Sequence, residues 1–509
     1  LIGLIVPAVF LALVIVLSFI PPTGGGGNPL YTQAKNFPRE IQLSLVPSWK
    51  ISVSSFRDMP FWGTGPATFL FNFTNYKPIE FNQSKFWNLR FDSAFNEYLG
   101  VLGTLGGIGL LALLSLTVLF INSAYLTLRL GNHQLPKALA ISGIAFFTIL
   151  AMHTSTLPLM VIGLFILAAF FVVSLEISGS PPSSFHTLGG GLKAVTQSSE
   201  ETVRIDALPS ILLIISLAAV LLTFYFGGKF ALADYHHRLA LNAVAQNQGV
   251  IAYNELIASE KLNPYSDLYR TDLAQVNFAL ANAIAVSKGP TEALPEGSLT
   301  DQDKQNIQVL LQQSIAEGRT AVTLSPRSSV NWEVLALLYR QISGVAQNAL
   351  LFSLDSYGRT IMQDPLNPIL RLNVGGVYFA IGNFDLAIRF FTDAINLKPD
   401  FANGYYNLSV ALRDKGDLNA ALQAAQKVVE LVEKDSSDYK VATDYLNDLK
   451  SKLPPTPSPE TNLEAPTIPD KGALQQKELP KVIDLPKPEK IATPEAIKKP
   501  SPTPEPKIP

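Results

Sequence analysis

Five stretches of this chain, residues 1–20, 99–121, 137–152, 157–175 and 210–228, are apolar over about the length a helix needs to cross a hydrocarbon core, which is ~20 residues. No other feature limits the fold as sharply. Backbone in lipid must satisfy its own hydrogen bonds, and only helices and closed barrels do so. The runs are continuous rather than alternating, so they predict helices. The third and fourth are divided only by "HTSTLP", whose polar residues and Pro158 favour a turn between two spans. The third run is short, which leaves a re-entrant segment open as well. The first run opens "LIGLIVPAVF" with no Met and no basic leader, so the chain reads as starting inside a membrane helix, with residues upstream of it.

Between the first two runs lies loop 21–98, which holds Trp49, Trp62 and Trp87, three of the four tryptophans. Tryptophan is expected at the headgroup level. Four helices follow this loop, so the loop and everything after residue 230 are expected on one side of the membrane. Arg129 and Lys137, beside the short loop 122–136, favour the cytoplasm for that loop and put loop 21–98 outside it.

After residue 230 the composition turns ordinary and a repeat emerges. In "NPILRLNVGGVYFAIGNFDLAIRFFTDAINLKPDFA", residues Gly375, Tyr378, Ala387, Phe391, Ala394 and Pro399 fit a 34-residue helix–turn–helix unit, the tetratricopeptide pattern. Tyr405, Leu408, Ala421 and Val428 continue it, and Trp332, Leu335, Ala336 and Tyr339 mark an earlier unit with about five extra residues in its turn. Such units bury their apolar faces only against neighbours, which predicts an α-solenoid with a concave face for a protein or peptide partner. The expected fold is therefore all-α: a transmembrane helix bundle over 1–230, a solenoid over 231–450, and a disordered Pro-rich tail over 451–509. Net charge is −2, which gives no electrostatic case for nucleic acid. The chain has no cysteine, which excludes disulfides, thiolate metal ligands and a Cys nucleophile.

The stretch that invites chemistry is "NLRFDSAFNEYLGVLGTLGGIGLLALLSL", residues 88–116. It sets Arg90, Asp92, Asn96, Glu97 and Tyr98 at the threshold of an apolar helix. Ionisable groups there either moor the helix or serve a substrate path. Gly103 and Gly107 have the small-xxx-small spacing of a closely packed helix pair. Upstream, residues 46–57 form an amphipathic segment offering Trp49, Ile51, Val53 and Phe56 to the interface. "GTGP" then turns the backbone at Gly63, Gly65 and Pro66. That turn is either a plain bend or a set of N–H groups beside Arg57 able to hold an anionic oxygen. His153 sits in the turn after the third run, where it caps a span or approaches this region. His133, His186, His236 and His237 have no zinc-site spacing, and "TLGGGLKAVT" lacks the phosphate-loop pattern.

The order of these pieces, an aromatic amphipathic segment, then "GTGPATF", then "FDSAFNEYLGVLGTLGGIGLLALL", resembles the second half of the O-antigen ligase and O-antigen polymerase family of bacterial membrane proteins. The resemblance covers residues 1–175. It implies a multi-pass protein of the bacterial inner membrane that moves a saccharide from an undecaprenyl-diphosphate carrier to a glycan acceptor, in cell-surface polysaccharide biosynthesis. Neither cofactor nor metal is implied. Such a reaction needs cations on the diphosphate leaving group, for which Arg57, Arg90 and Lys85 are suited, with Asn96 as a further substrate-binding residue. It also needs a base for the acceptor hydroxyl. The family's histidine position holds Phe95 here, which leaves Glu97 as the candidate catalytic base. The alternative is a catalytically inactive, membrane-anchored tetratricopeptide scaffold for protein–protein interaction.

Overall fold

The computed structural model describes residues 41–131, 133–177, 207–289 and 298–452. The first apolar run, residues 178–206 with His186, and the Pro-rich tail lie outside the described residues. Among the described residues every regular element is helical, and all belong to one compact unit.

Residues 41–96, after the first run, form a small helical domain. Helix α1 (Leu45–Asp58), helix α2 (Phe69–Tyr76) and a 3₁₀ turn (Ile79–Gln83) enclose Leu43, Ile51, Phe69, Phe73, Phe81 and Phe91. The Phe73, Phe81 and Phe91 rings meet edge-on at 5.4–6.1 Å between centroids, the arrangement their quadrupoles favour. Helix α1 is amphipathic as expected, but with a different inner face. It buries Ser48, Ile51, Ser52 and Ser55 and leaves Trp49 exposed. The serines sit inside because α1 packs against a glycine-rich helix, and only short side chains fit between two backbones that close.

That partner is α3 (Glu97–Leu130), the first of four described helices long and apolar enough to cross a membrane. The others are α4 (Gln134–Met152), α5 (Leu157–Ile177) and α6 (Ala207–Ala245). The third run is thus a full helix of 19 residues. A Cβ on Gly103 would lie 3.3 Å from the Ser52 Cα, so the small-residue spacing serves the α1 contact rather than a pair of spans. Gly106, which no spacing in the sequence singles out, breaks α3 with φ 66° and ψ −159°, a conformation that favours glycine. The arms fold back on each other. The Tyr98 hydroxyl lies 3.1 Å from Thr117 Oγ1, whereas a straight helix would separate residues 98 and 117 by about 28 Å. Deeper in the bundle Phe120, Phe147 and Phe170 interlock. A Cβ on Gly143 or Gly163 would strike the Phe120 or Phe146 ring, so those glycines make room for aromatic packing.

Helix α6 runs past residue 230 without a break and becomes the first helix of the solenoid. It pairs with α7 (Gly249–Leu262). Four further hairpins follow: α8 (Asp267–Lys288) with α9 (Asp301–Leu324), α10 (Ser329–Gln341) with α11 (Ala349–Gln363), α12 (Pro368–Ala380) with α13 (Phe384–Leu397), and α14 (Ala402–Lys415) with α15 (Leu418–Leu431). Helix α16 (Ser437–Lys452) closes the stack. The start signals are local. Ser328, Asn367, Asn383 and Asp417 each accept a backbone N–H of the following turn. Ala387, Phe391 and Ala411 pack between hairpins, and the Gly375 backbone lies against the Phe391 ring.

Candidate functional site

Arg90, expected to face a diphosphate, points into the solenoid. Its Nη2 donates to Glu333 Oε2 at 2.7 Å and to Asp364 Oδ2 at 3.1 Å, and its Nε reaches the same Asp364 oxygen at 3.3 Å. Lys77 Nζ lies 3.6 Å from the other Asp364 oxygen. Two cations of the loop domain thus meet two carboxylates of the solenoid. Asp364 is 1% exposed and Lys77 4%, while Arg90 and Glu333 are each 23% exposed. Burial penalises the Arg90 charge, but Glu333 and Asp364 outweigh it and hold its pKa above the ordinary arginine value. For Lys77 burial wins over the attraction of Asp364, and its pKa falls below the ordinary lysine value.

The seam continues one repeat further on. Asp364 and Lys398 occupy equivalent positions before Pro365 and Pro399, one 34-residue period apart. Lys398, 5% exposed, pairs with Asp400 of the solenoid at 2.8 Å, donates to the Asn82 carbonyl at 2.9 Å and sits over the Trp87 ring. The Asn82 amide donates to the Leu366 and Leu397 carbonyls at 2.8 and 3.0 Å, bridging successive inter-repeat turns. Trp87 meets Phe401 edge-on at 5.4 Å. Lys77, Asn82, Glu333, Asp364 and Lys398 belong to no motif that the sequence displays. The detectable signal was opposite charge: the loop domain carries a cationic excess, and an acid and a base stand at matching repeat positions.

Asn96 and Glu97 are also engaged. Asn96 Oδ1 accepts the Leu99 N–H at 2.9 Å and caps α3, and its amide donates to the Ala151 carbonyl at 2.9 Å. Glu97 Oε2 accepts the Ser155 N–H at 2.9 Å and the Ser155 hydroxyl at 2.7 Å. Together they fasten the start of α3 to the α4–α5 turn, where the His153 ring bonds the Thr154 carbonyl. Phe95 packs on the loop-domain core. Arg57 and Lys85 are exposed. A cavity of about 300 Å³ in this domain is lined by Lys50, Pro78, Glu80, Phe81 and Phe86 among others. None of Arg57, Lys85, Arg90, Asn96 or Glu97 lines it.

The Gly63–Gly65 turn is not open to an anion through those two amides. The Gly63 N–H donates to the Met59 carbonyl at 3.1 Å and the Gly65 N–H to the Thr104 carbonyl at 2.8 Å. In return the Gly107 and Ile108 N–H groups, freed by the α3 break, donate to the Pro60 and Phe61 carbonyls at 2.7 and 3.2 Å. The turn therefore repairs the broken helix, as irregular backbone near a membrane requires.

A second feature lies on the solenoid, at the opposite ends of the helices from the seam. The long α9 leaves Ile307, Leu311 and Ile315 facing Ile342, Val345 and Phe352 across a groove of about 610 Å³, lined also by Lys304, Arg319 and Tyr339. Arg319 Nε donates to the Tyr339 hydroxyl at 2.7 Å, and no ion pair to it is formed among the described residues. Val345 belongs to the extra turn residues noted in the sequence. Among the described residues no group of three or more His, Asp or Glu side chains is placed to hold a metal.

Residues 370–401 and 402–435 each match the tetratricopeptide repeat. No curated protein matches the chain by sequence. Solved structures similar to it include the MamA protein (16% identity, 44% of this chain and 98% of that one, TM-score 0.30). They include a thermophilic tetratricopeptide protein of Thermus thermophilus (19% identity, 43% and 99%, TM-score 0.31) and the type IV pilus biogenesis factor PilW (15% identity, 43% and 86%, TM-score 0.32).

Proposed function

We propose that this protein is a membrane-mounted tetratricopeptide scaffold whose solenoid is held in a fixed attitude and presents its free edge to a protein partner. The observation that carries the reading is the neutralised seam: Lys77 and Arg90 are matched by Asp364 and Glu333 within the chain. Two attachments support a fixed attitude. Helix α6 enters the first hairpin from its apolar half, and the loop domain grips the turns that start α12 and α14. Direct contact between loop domain and solenoid also supports placing both on one side of the membrane. The groove at the other helix ends suits a segment bearing apolar side chains and a carboxylate for Arg319.

The glycan-transfer reading has less support. It requires Arg90 to exchange two carboxylates for a diphosphate, and Glu97 to exchange Ser155 for an acceptor hydroxyl. One pair of experiments separates the two. A photo-crosslinking residue at Val345, in native membranes, is expected to give one discrete protein adduct that Arg319→Glu abolishes. Surface glycan from Arg57→Ala and Glu97→Gln cells is expected to match the wild type. Loss of glycan with a folded Glu97→Gln protein would refute the scaffold reading in favour of transfer.

A further inference from the structure

The tip between α1 and Gly63, "MPFW", is the most exposed aromatic segment of the loop domain. Met59 is 50% exposed, Phe61 69% and Trp62 77%. Their exposure is not slackness. The Pro60 and Phe61 carbonyls and the Gly65 N–H are tied into the α3 break, and a Cβ on Gly63 or Gly106 would fall within 2.7 Å of the other segment's backbone. With the backbone turned inward, the side chains are directed out on a rigid mount. The Phe61 carbonyl accepts the Ile108 N–H at 3.2 Å, and Leu105, Ile108 and Leu111 are exposed positions flanking the same break on a helix apolar enough to cross a membrane. The apolar surface of the tip therefore continues that of a span. At its polar margin stands Arg57, exposed at the end of α1 and without an ion pair among the described residues.

We propose that Met59, Phe61 and Trp62 form a wedge seated in the headgroup boundary of the bilayer, with Arg57 on the phosphate of an anionic lipid. An indole set on a fixed mount at this level matches the amphipathic preference of tryptophan, and a guanidinium five residues earlier, at the end of α1, suits a phosphate. The wedge would fix the depth of the α3 break and hence the height of the loop domain that carries the solenoid. It stands on the four long apolar helices and is independent of what the solenoid binds.

Because the chain has no cysteine, Met59→Cys in the full-length protein gives a single nitroxide site. The protein is placed in nanodiscs of phosphatidylcholine with and without phosphatidylglycerol. Collision with oxygen is expected to exceed collision with a water-soluble nickel complex at position 59. The reverse is expected for a label at Tyr265, an exposed solenoid position. Trp62→Ser should move the label at 59 toward water, and Arg57→Glu should do so only in the anionic discs. A label at 59 that reports water in both lipids overturns the wedge. So does one shielded from both reagents, since a protein would then cover the tip. An Arg57→Glu protein indistinguishable from its parent in anionic discs overturns the headgroup contact.

Discussion

Replacing Asp364 with Asn keeps the side-chain shape and removes the charge that Lys77 and Arg90 share. Asp364 lies 3.6 Å from one cation and 3.1 Å from the other. At an effective dielectric near 20 each attraction is worth about 5 kcal/mol gross. Burial of the carboxylate itself costs several kcal/mol, so only part of that sum is lost on neutralisation. What remains unfavourable in the variant is Lys77, 4% exposed and without its paired carboxylate. Breaking a buried pair typically costs 3–5 kcal/mol. Taking about 3 kcal/mol, the docked state of the loop domain weakens roughly 150-fold. The assay is native-state hydrogen exchange on peptides spanning 77–91, where the Phe81 and Ser84 amides are bonded inside the 3₁₀ turn. Exchange there should accelerate by about that factor, while peptides in α14 and α15 stay unchanged. Glu333→Gln touches a pair that is 23% exposed on both sides. Solvent screening reduces its effect to about 1 kcal/mol, near fivefold. Equal acceleration in the two variants, or none in Asp364→Asn, would refute a seam centred on the buried aspartate.

Two further outcomes follow from local geometry. Gly106→Ala places a Cβ 2.6 Å from the Gly63 nitrogen at φ 66°. It should cost at least ~2 kcal/mol, read as a lower Tm than that of Gly227→Ala, where nothing lies within 4 Å. Asp303 caps α9 with Thr300 and pairs with Lys288, and the Lys288 hydrogen bond with those from Thr300 hold its pKa at about 2 against an ordinary 3.8. A depressed acid contributes stability above its unfolded pKa and loses it as pH falls through the folded one. The Tm gap between wild type and Asp303→Asn should therefore be full at neutral pH and shrink between pH 3.8 and about 2.

Four of the long apolar helices and the last two repeats were legible because each rests on a local signal. Apolar length announces a helix able to cross a membrane, and Gly375 with Phe391 announces a hairpin that closes on itself. Helix α1 was legible as amphipathic but not as to which face was inner. The stripe Ser48, Ser52, Ser55 has helical spacing, yet serine reads as solvent-facing until a glycine helix is known to press against it. Gly106 was hidden for a related reason. In a run already rich in glycine, one more signals close packing, whereas a break needs a partner loop to receive its freed N–H groups, and Pro60 and Phe61 lie more than forty residues away in the sequence.

The seam was the least legible part, because its meaning lies in sequence separations of 243 to 316 residues. Arg90 beside an apolar helix fits a phosphate and a carboxylate equally well, since both present oxygen pairs to the guanidinium fork. Only the partner decides, and the partner is written in the solenoid. Asp364 and Lys398 stand at one repeat position with opposite sign, and the pattern that identifies a tetratricopeptide unit is silent on that position. Without the loop domain Asp364, 1% exposed, would lose both cations that it pairs with. Burying both charges costs free energy that only matched groups return: Lys77 and Arg90 of the loop domain serve the acid, while Asp400 of the solenoid at 2.8 Å serves the base together with the Asn82 carbonyl and the Trp87 ring. Reversing the two solenoid charges together, Asp364→Lys with Lys398→Asp, keeps the net charge and the repeat register. It should release the loop domain as fully as Asp364→Asn or more so, because each new charge then faces its like or an unsuited partner.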